Sequence, residues 1–590
     1  MVHLGIDLGS SNTLVARLAP SGEPEILEID KQRMIPSYIY IEPPAGNPTV
    51  GKLALDMWAD PQYDITRSFH AWKPYVGENR VLGTLDVAGG PKEITPEYLT
   101  TLMIEYIVGQ LSQGKVGGEH IESVLITVPH GWRRVSHEKC RAMRHAAEQA
   151  KVGDRKITVQ QLTVSEPVAA AAYWVWEAKK NKDLFNELQN KVLLVCDIGG
   201  GTFDLSLVQV HIDNQALMLN VVDAANNNVA GNYVDALLCA WVCQQFNDTH
   251  RTNYPTTAQD VIEQLPSMPI LRQWYLQVRE MKHTLSSRAA NSREKHPYPY
   301  PVQRPFQDSE HKLLNLSLSM DTFEQRAEPF YTASCNLIRK FLEHNHNHEP
   351  YAVLLAGGGS RILGVRKHVL EPALKHFYSL KKLPPEEVKK KLSSVLDRIS
   401  VNQLRMDEAI ALGAALIANK VVSVQERLLN DIGLVVNISS DLCRKLGLSE
   451  HNQRVLIIPL LSKGTPLPAT YDSAALGVPT TLSPGRHLEL CLVIDDDPED
   501  PWVQYWELSH PGGGMQEVRW EIEVDTDGAL TLRLKPENAK SLEVTGRWER
   551  IRNGRATLIV GELPDRRGRM FPRVTPAQLR EAYEQRRGNG

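Results

Sequence analysis

One arrangement occurs twice in this chain, and it restricts the possible folds more than any other feature. From Gly5, "GIDLGSSNTLVARL" reads as a buried strand ending in an acid, Asp7, then a turn of small polar residues, then a second strand. From Cys196, "CDIGGGTFDLSLV" repeats the layout: strand, Asp197, glycines 199 to 201, Thr202, then Asp204 in an alternating strand. A plain hairpin needs the glycine but not the acid. Turns of backbone N–H groups and small hydroxyls suit phosphate oxygens. A carboxylate beside them would repel phosphate unless it holds a hydrated Mg²⁺, which takes carboxylates, waters and phosphates together. Either copy alone could be an ordinary hairpin. Two separated copies suggest two lobes clasping one polyphosphate from opposite sides. A third element, "LLAGGGSRI", puts Gly357, Gly358 and Gly359 after a buried strand, where bare backbone leaves room for a flat ring. None of the three is a GxGxxG or GxxxxGK[ST] motif.

The surrounding pattern is mixed and then changes. The stretch to about Arg80 reads as strands and turns. Residues 96 to 112 read as a helix with Thr95 as cap and Pro96 in first position, since Leu99, Leu102, Met103, Tyr106, Ile107 and Leu111 recur at helical spacing. "SVLITVP" is a buried strand followed by helical sequence through Ala150, and "RMDEAIALGAALIANKV" is a helix. Alternating strands and helices over residues 1–420 argue an α/β domain. Beyond residue 421 come short strands bounded by Gly, Pro, Asp and Asn, an all-β signal. "VDTDGALTL" reads as a hairpin with Asp527-Gly528 in its turn. The expected organisation is 1–420, a linker at 421–435, a β domain at 436–562 and a short basic helix or tail at 563–590.

Bulk properties remove several function classes. A net charge of −4 over 590 residues gives no global argument for nucleic acid or a membrane surface. No apolar run approaches the ~18 residues that span a bilayer. Asp7 lies too near the start for a secretory signal core. Seven scattered cysteines without a CxxC pair fit a reducing compartment, so a cytoplasmic protein is expected. Three stretches read as insertions or loops: "SREKHPYPYPVQRPFQ", too rich in proline for a helix or central strand; "LKKLPPEEVKKKL", a solvated charge run; and "EHNHNHEP". In the last, His344, His346 and His348 read as a solvated loop, with a metal site as the alternative.

Together these motifs resemble the seventy-kilodalton heat-shock chaperone family (DnaK-like), built on the two-lobed actin/hexokinase-type (ribonuclease H-like) ATPase fold. "GIDLGSSNTLVA" is similar to its first phosphate motif, "CDIGGGTFDLSLV" to its second, "AGGGSRI" to its adenosine motif and "DEAIALGAAL" to the helix joining the lobes; "ITVP" and "SEPVAAAAY" match as well. More weakly, "IPLLSKGTPLP" and "WEIEVDTDGALTLRLK" resemble the peptide-binding β-sandwich. The resemblance implies ATP/ADP and Mg²⁺ as cofactors, with K⁺ as a further candidate. It implies that Asp7 and Asp197 hold the waters around Mg²⁺, with Glu166 orienting water and the metal shell. Gly9, Ser10, Ser11 and Asn12 would meet the β- and γ-phosphates, with Gly199, Gly200, Gly201 and Thr202 opposite. Lys73, in "HAWKPYVG", would steady the γ-phosphate and attacking water; read alone it could be an ordinary surface lysine. Lys282, His283, Ser286, Gly357, Gly358, Gly359, Ser360, Arg361 and Asp407 fall on the adenosine side.

The departures are as specific as the matches. The adenine-stacking arginine of the family is His283 here, and the ribose-binding acid is Arg279, with Glu280 beside it. Pro129 matches the switch proline, but the relay arginine is His137, with Arg133 and Arg134 nearby. The linker's leucine run is reduced to Leu428 and Leu429, between Arg427 and Asn430. About 30 residues follow Val560, too few for the family's helical lid, so fast peptide release is expected. The expected function is an ATP-dependent chaperone that binds and releases unfolded or client polypeptides. A J-domain co-chaperone and a nucleotide-exchange factor are implied partners, with no nucleic acid and no membrane. The alternative is a nucleotide-gated scaffold for one dedicated partner with weak ATPase. A small-molecule kinase or a filament-forming actin relative ranks third, because neither needs the β domain.

Overall fold

The computed structural model describes residues 2–562 apart from 115–120, 136, 153–154, 161–162, 214–215, 292–300, 399–404, 426, 429–430, 438–454, 463, 477–479, 483–486, 496–501, 510–515, 526–529, 536–542, 551–556 and 559–560. It forms two compact units, one of Met1–Trp132 and Glu138–Val424, the other holding the strands from Gln425 onward.

The first unit contains the same sheet motif twice. In one sheet Val2–Leu8 pairs antiparallel with Asn12–Leu18 and parallel with Ile121–Val128. In the other, Val192–Ile198 pairs antiparallel with Phe203–Asp213 and parallel with Pro350–Ala356. The central strand of each carries one of the two acids near its end, Asp7 opposite Leu14 and Asp197 opposite Asp204. The sequence repeat is therefore a structural repeat. Each sheet has its own apolar core, one built on Leu4, Ile6, Leu99, Ile126 and Met143, the other on Leu194, Leu205, Trp274, Phe330 and Phe377.

Two helices cross between the sheets. Glu166–Ala178 packs against Val192–Ile198 and Phe203–Asp213, and Ala409–Ala418 packs on Val2–Leu8 and Asn12–Leu18. All ten residues of Ala409–Ala418 are buried, as expected of a helix apolar on every face. At the crossing, a Cβ on Gly413 would lie 1.7 Å from the Ala169 carbonyl oxygen, and one on Gly5 2.3 Å from the Ala415 nitrogen. Only glycine allows the backbones this close.

The helix read at 96–112 is Pro96–Gly114, and Thr95 caps it by accepting from the Tyr98 N–H at 3.1 Å. The first 80 residues are not only strands and turns. Lys52–Ala59 is a helix, placed by burying Ala54 and Trp58 one turn apart. The proline-rich stretch includes a strand, Val302–Gln307, in a separate two-stranded ribbon with Leu313–Leu318. There a proline costs no central ladder bond. The lysine run lies on the helix Pro385–Asp397. Residues 421–435 include the strand Val422–Gln425 and the start of Asp431–Asn437.

From Gln425 onward, among the described residues, every regular element except the 3-10 turn Ser473–Leu476 is a strand. One antiparallel sheet runs Val455–Leu461, Asp431–Asn437, His487–Asp495, Trp502–Ser509, Glu543–Arg550; another gathers Ala469–Asp472, Thr480–Leu482 and Leu530–Lys535 around Gln516–Val524. Val524 pairs with Leu530, as the "VDTDGALTL" hairpin requires. Asp527-Gly528 and the stretch 563–590 lie outside the described residues. Among the described residues no helix is long and apolar enough to cross a membrane.

Candidate functional site

The two acid-bearing turns meet. In the first, Ser37 donates from its hydroxyl to the Gly9 carbonyl at 2.7 Å, and from its backbone N–H to the Ser11 carbonyl at 2.9 Å. In the second, the Gly199 N–H donates to the Thr202 carbonyl at 2.9 Å. The Ser11 hydroxyl lies 2.1 Å from where a Cβ on Gly200 would be, and Ser10 lies at ordinary contact distance, 3.4 Å, from one on Gly201. Ser11 also donates across to Asn232 Oδ1 at 3.2 Å.

Behind the turns lies a group of buried charges: Asp7, Glu166, Asp197, Asp204 and Lys73. Lys73 and Glu166 form a close ion pair. Each arrives for a local reason. Glu166 opens its helix, directly before Pro167. Lys73 opens a 3-10 turn after the strand Ser68–His70. Between them Ala71 takes φ +51°, a left-handed conformation that costs a non-glycine residue roughly 1–2 kcal/mol. That turn sends Trp72 into the core, where its indole donates to Thr100 at 3.2 Å. It leaves Lys73 only 4% exposed, which rules out the surface reading.

Four carboxylates thus face one lysine in a space shielded from water. Burial, and then the charge of Glu166, push Asp7 up to about 7, although Lys73 and a 3.4 Å bond donated by Thr127 pull the other way. The same two causes lift Asp204 from 3.8 to about 7. Asp197 is also held well above the ordinary carboxylate range, by burial and then by Glu166, Asp204 and Asp7, and its Oδ1 is buried without a hydrogen-bond partner. The folded protein therefore keeps protons that the unfolded chain has released. The stability they bring is present below about pH 4 and is lost as pH rises through about 7. Asp204→Asn, which cannot titrate, should gain on the parent by on the order of a few kcal/mol across that window. Melting curves of the two proteins from pH 4 to 8 check this; parallel midpoints would refute it.

A hard divalent cation fits this donor set: several oxygens, excess negative charge and an orphaned carboxylate oxygen. Among the described residues no three Asp, Glu, His or Cys side chains converge as direct ligands, so water would complete the shell. His344, His346 and His348 form no such group either.

The third glycine element closes on the second turn. Gly357 has φ +76°, and a Cβ there would lie 2.5 Å from both Asp197 Oδ1 and the Ile198 carbonyl oxygen. Gly359 packs as tightly on Ile198, and Ser360 donates to the Ala356 carbonyl. Arg361 is ion-paired with Asp407 at 2.6 Å, so these two residues hold each other. On the helix Pro269–Asn291, Lys282 is buried against Asp235 at 2.6 Å, Ser286 is half-buried and His283 is exposed. Arg279 also pairs with Asp235, at 3.2 Å, and donates to Asn232 Oδ1 at 3.1 Å. Asp235 and Asn232 escaped the sequence reading. Their signal was the helix start Gly231–His250, anchored where the Gly231 N–H donates to the Gly199 carbonyl at 3.0 Å.

A model of the family described as Hsp70 protein matches residues 76–379. The match begins past Lys73, so it covers neither the first turn nor that lysine. The chaperone protein DnaK of Thermotoga petrophila is 27% identical over 250 residues, 42% of this chain and 36% of that protein. That of Metamycoplasma hominis is 24% identical over 476 residues, 79% of this chain and 65% of that protein. That of Thermus thermophilus is 26% identical over 262 residues, 42% of this chain and 38% of its own length. The chain thus spans 36% of the length of the Thermotoga relative it matches.

Proposed function

The chain belongs to the Hsp70 family, and from that premise we propose that it is an ATP-dependent chaperone. Its two-lobed, actin-type unit hydrolyses ATP, and its β unit, a sandwich, binds and releases client polypeptide. The observation that carries this reading is the meeting of two Asp-bearing turns over the buried Lys73–Glu166 pair. In this reading the domains are 1–420, 421–435, 436–562 and 563–590. A J-domain co-chaperone and an exchange factor act on it in the cytoplasm.

The roles follow from chemistry. Gly9 to Asn12 and Gly199 to Thr202 offer N–H groups and hydroxyls to the phosphates from two sides. Asp7 and Asp197, with Glu166, would hold Mg²⁺ through its waters, and K⁺ could share the site. The cation would supply charge neutralisation for the phosphates. Lys73 places its ammonium toward the γ-phosphate, and Glu166 orients the attacking water. Water attacks the γ-phosphorus, the bond to the bridging oxygen breaks, and ADP leaves with that electron pair. Positioning and fixed charge supply most of the rate. Gly357 to Arg361, Lys282, His283, Ser286 and Asp407 form the adenosine side. Lys282, Arg361 and Asp407 act there through their ion pairs.

A second reading, a nucleotide-gated scaffold for one dedicated partner, draws on the linker. Leu428 is buried, its N–H donates to the Thr465 carbonyl at 2.8 Å, and its carbonyl accepts from the Gly464 N–H at 2.7 Å. A leucine held this way within the β unit is less available for signalling. Steady-state ATP turnover, with and without a permanently unfolded protein, separates the two, with Asp197→Asn as the inactive control. Stimulation by unfolded protein is the expected result. Turnover abolished in the control but indifferent to unfolded protein would transfer the case to the scaffold. Equal turnover in parent and control would remove the ATPase reading.

A further inference from the structure

The first unit has a cavity at the far end of the strand that carries Asp197. Val192–Ile198 runs parallel to Pro350–Ala356, with Val192 opposite Pro350 at one end and Asp197 opposite Ala356 at the other. From Lys191 to Asp197 the strand covers about 20 Å, at ~3.3 Å per residue. The cavity, about 330 Å³, is lined by Lys191, Glu349, Tyr351, Tyr378, Val395 and Arg398 among others. That is the small end of the range of ligand pockets, roughly 300–1,000 Å³. One wall is the helix Pro385–Asp397, the charge-rich stretch that the ATPase reading leaves without a role.

Two observations point to a ligand. Tyr378 is fully buried, yet its hydroxyl has no hydrogen-bond partner. An unmet buried hydroxyl costs about 1–3 kcal/mol. The charge is also unbalanced. Lys381 and Lys391 both answer Glu349, at 3.1 and 2.6 Å, and Arg398 lies 4.0 Å from Glu187. Lys191 makes no ion pair among the described residues; its ammonium lies 5.7 Å from the centre of the Tyr351 ring. Arg398 stacks over that ring at 3.9 Å and donates to the Tyr351 carbonyl at 3.1 Å. Four cations thus meet two carboxylates around two tyrosine rings.

We propose that this pocket binds a small aromatic anion. Its ring packs among Tyr351, Tyr378 and Val395, and its acidic oxygens accept from the Tyr378 hydroxyl and pair with Lys191. The assignment is independent of the ATPase reading, because it shares no residue with that site. The probe is phenyl phosphate, titrated into the full chain while the Val395 methyl resonances are followed by NMR. A saturable shift is expected. Tyr378→Phe, which removes one oxygen and should leave the melting midpoint at or above the parent's, should weaken binding about three- to tenfold. Lys191→Glu, a surface charge reversal, should weaken it further. Inorganic phosphate should bind more weakly than phenyl phosphate. Val395 resonances that do not move, an affinity for phenyl phosphate unchanged in either variant, or equal affinity for inorganic phosphate would overturn the assignment.

Discussion

Lys73→Met should lower single-turnover ATP hydrolysis about 10²–10³-fold, the range seen when one fixed donor to a developing charge is removed. Lys73 is the cation that faces Asp7, Glu166, Asp197 and Asp204, and it is buried with them. Its loss acts in two ways. The γ-phosphate loses a fixed positive charge, and Asp7 loses the charge that holds its pKa down, so it rises further. The same change strands Glu166, and breaking a buried pair costs about 3–5 kcal/mol. Stability and chemistry must therefore be separated. Adding Glu166→Gln removes both partners and should recover most of the melting midpoint while leaving turnover low. If Lys73→Met hydrolyses ATP at the parent's rate, Lys73 has no part in the chemistry. If the double variant recovers both stability and turnover, the single variant's defect was one of folding.

The turns were legible in sequence because they repeat, and the repeat recurs in the two sheets, with Asp7 and Asp197 in matching strands. The crossing helix was legible too, since "AIALGAALIA" is apolar on every face and can only be central. Lys73 was less so. Its burial depends on Ala71 adopting a left-handed conformation and Trp72 finding Thr100, and neither leaves a periodic signal. The network of Asp235, Arg279 and Lys282 was hidden for a different reason. Its members sit on two helices, Gly231–His250 and Pro269–Asn291, and only tertiary packing joins them. Arg279 stood out in the sequence as an acid replaced by a base. What the replacement does locally, pairing with Asp235 and bridging to Asn232, needed coordinates. Leu428 shows the same limit, because its backbone partners Gly464 and Thr465 lie in another loop.

Gly413→Ala should destabilise the first unit by more than about 3 kcal/mol, beyond the usual cost of overpacking. Helix propensity alone predicts the opposite, since alanine is favoured over glycine in a helix by about 1 kcal/mol. The contact decides the sign. The added Cβ would lie 1.7 Å from the Ala169 carbonyl oxygen and 2.5 Å from its carbon. Both are backbone atoms in the middle of Glu166–Ala178, so no side chain can rotate away. The helices would have to part, which would loosen the Gly5–Ala415 contact as well. Parting them would also displace Glu166, the first residue of that helix, from Lys73. Turnover should therefore fall even in whatever fraction remains folded. Gly109→Ala is the matched control. It lies inside Pro96–Gly114, and a Cβ there meets nothing within 4 Å. It should stabilise by about 0.5–1 kcal/mol. Thermal melts of the two variants should therefore move in opposite directions from the parent. If both rise together, the helices are not held at backbone contact, and the close crossing is not what fixes one lobe to the other.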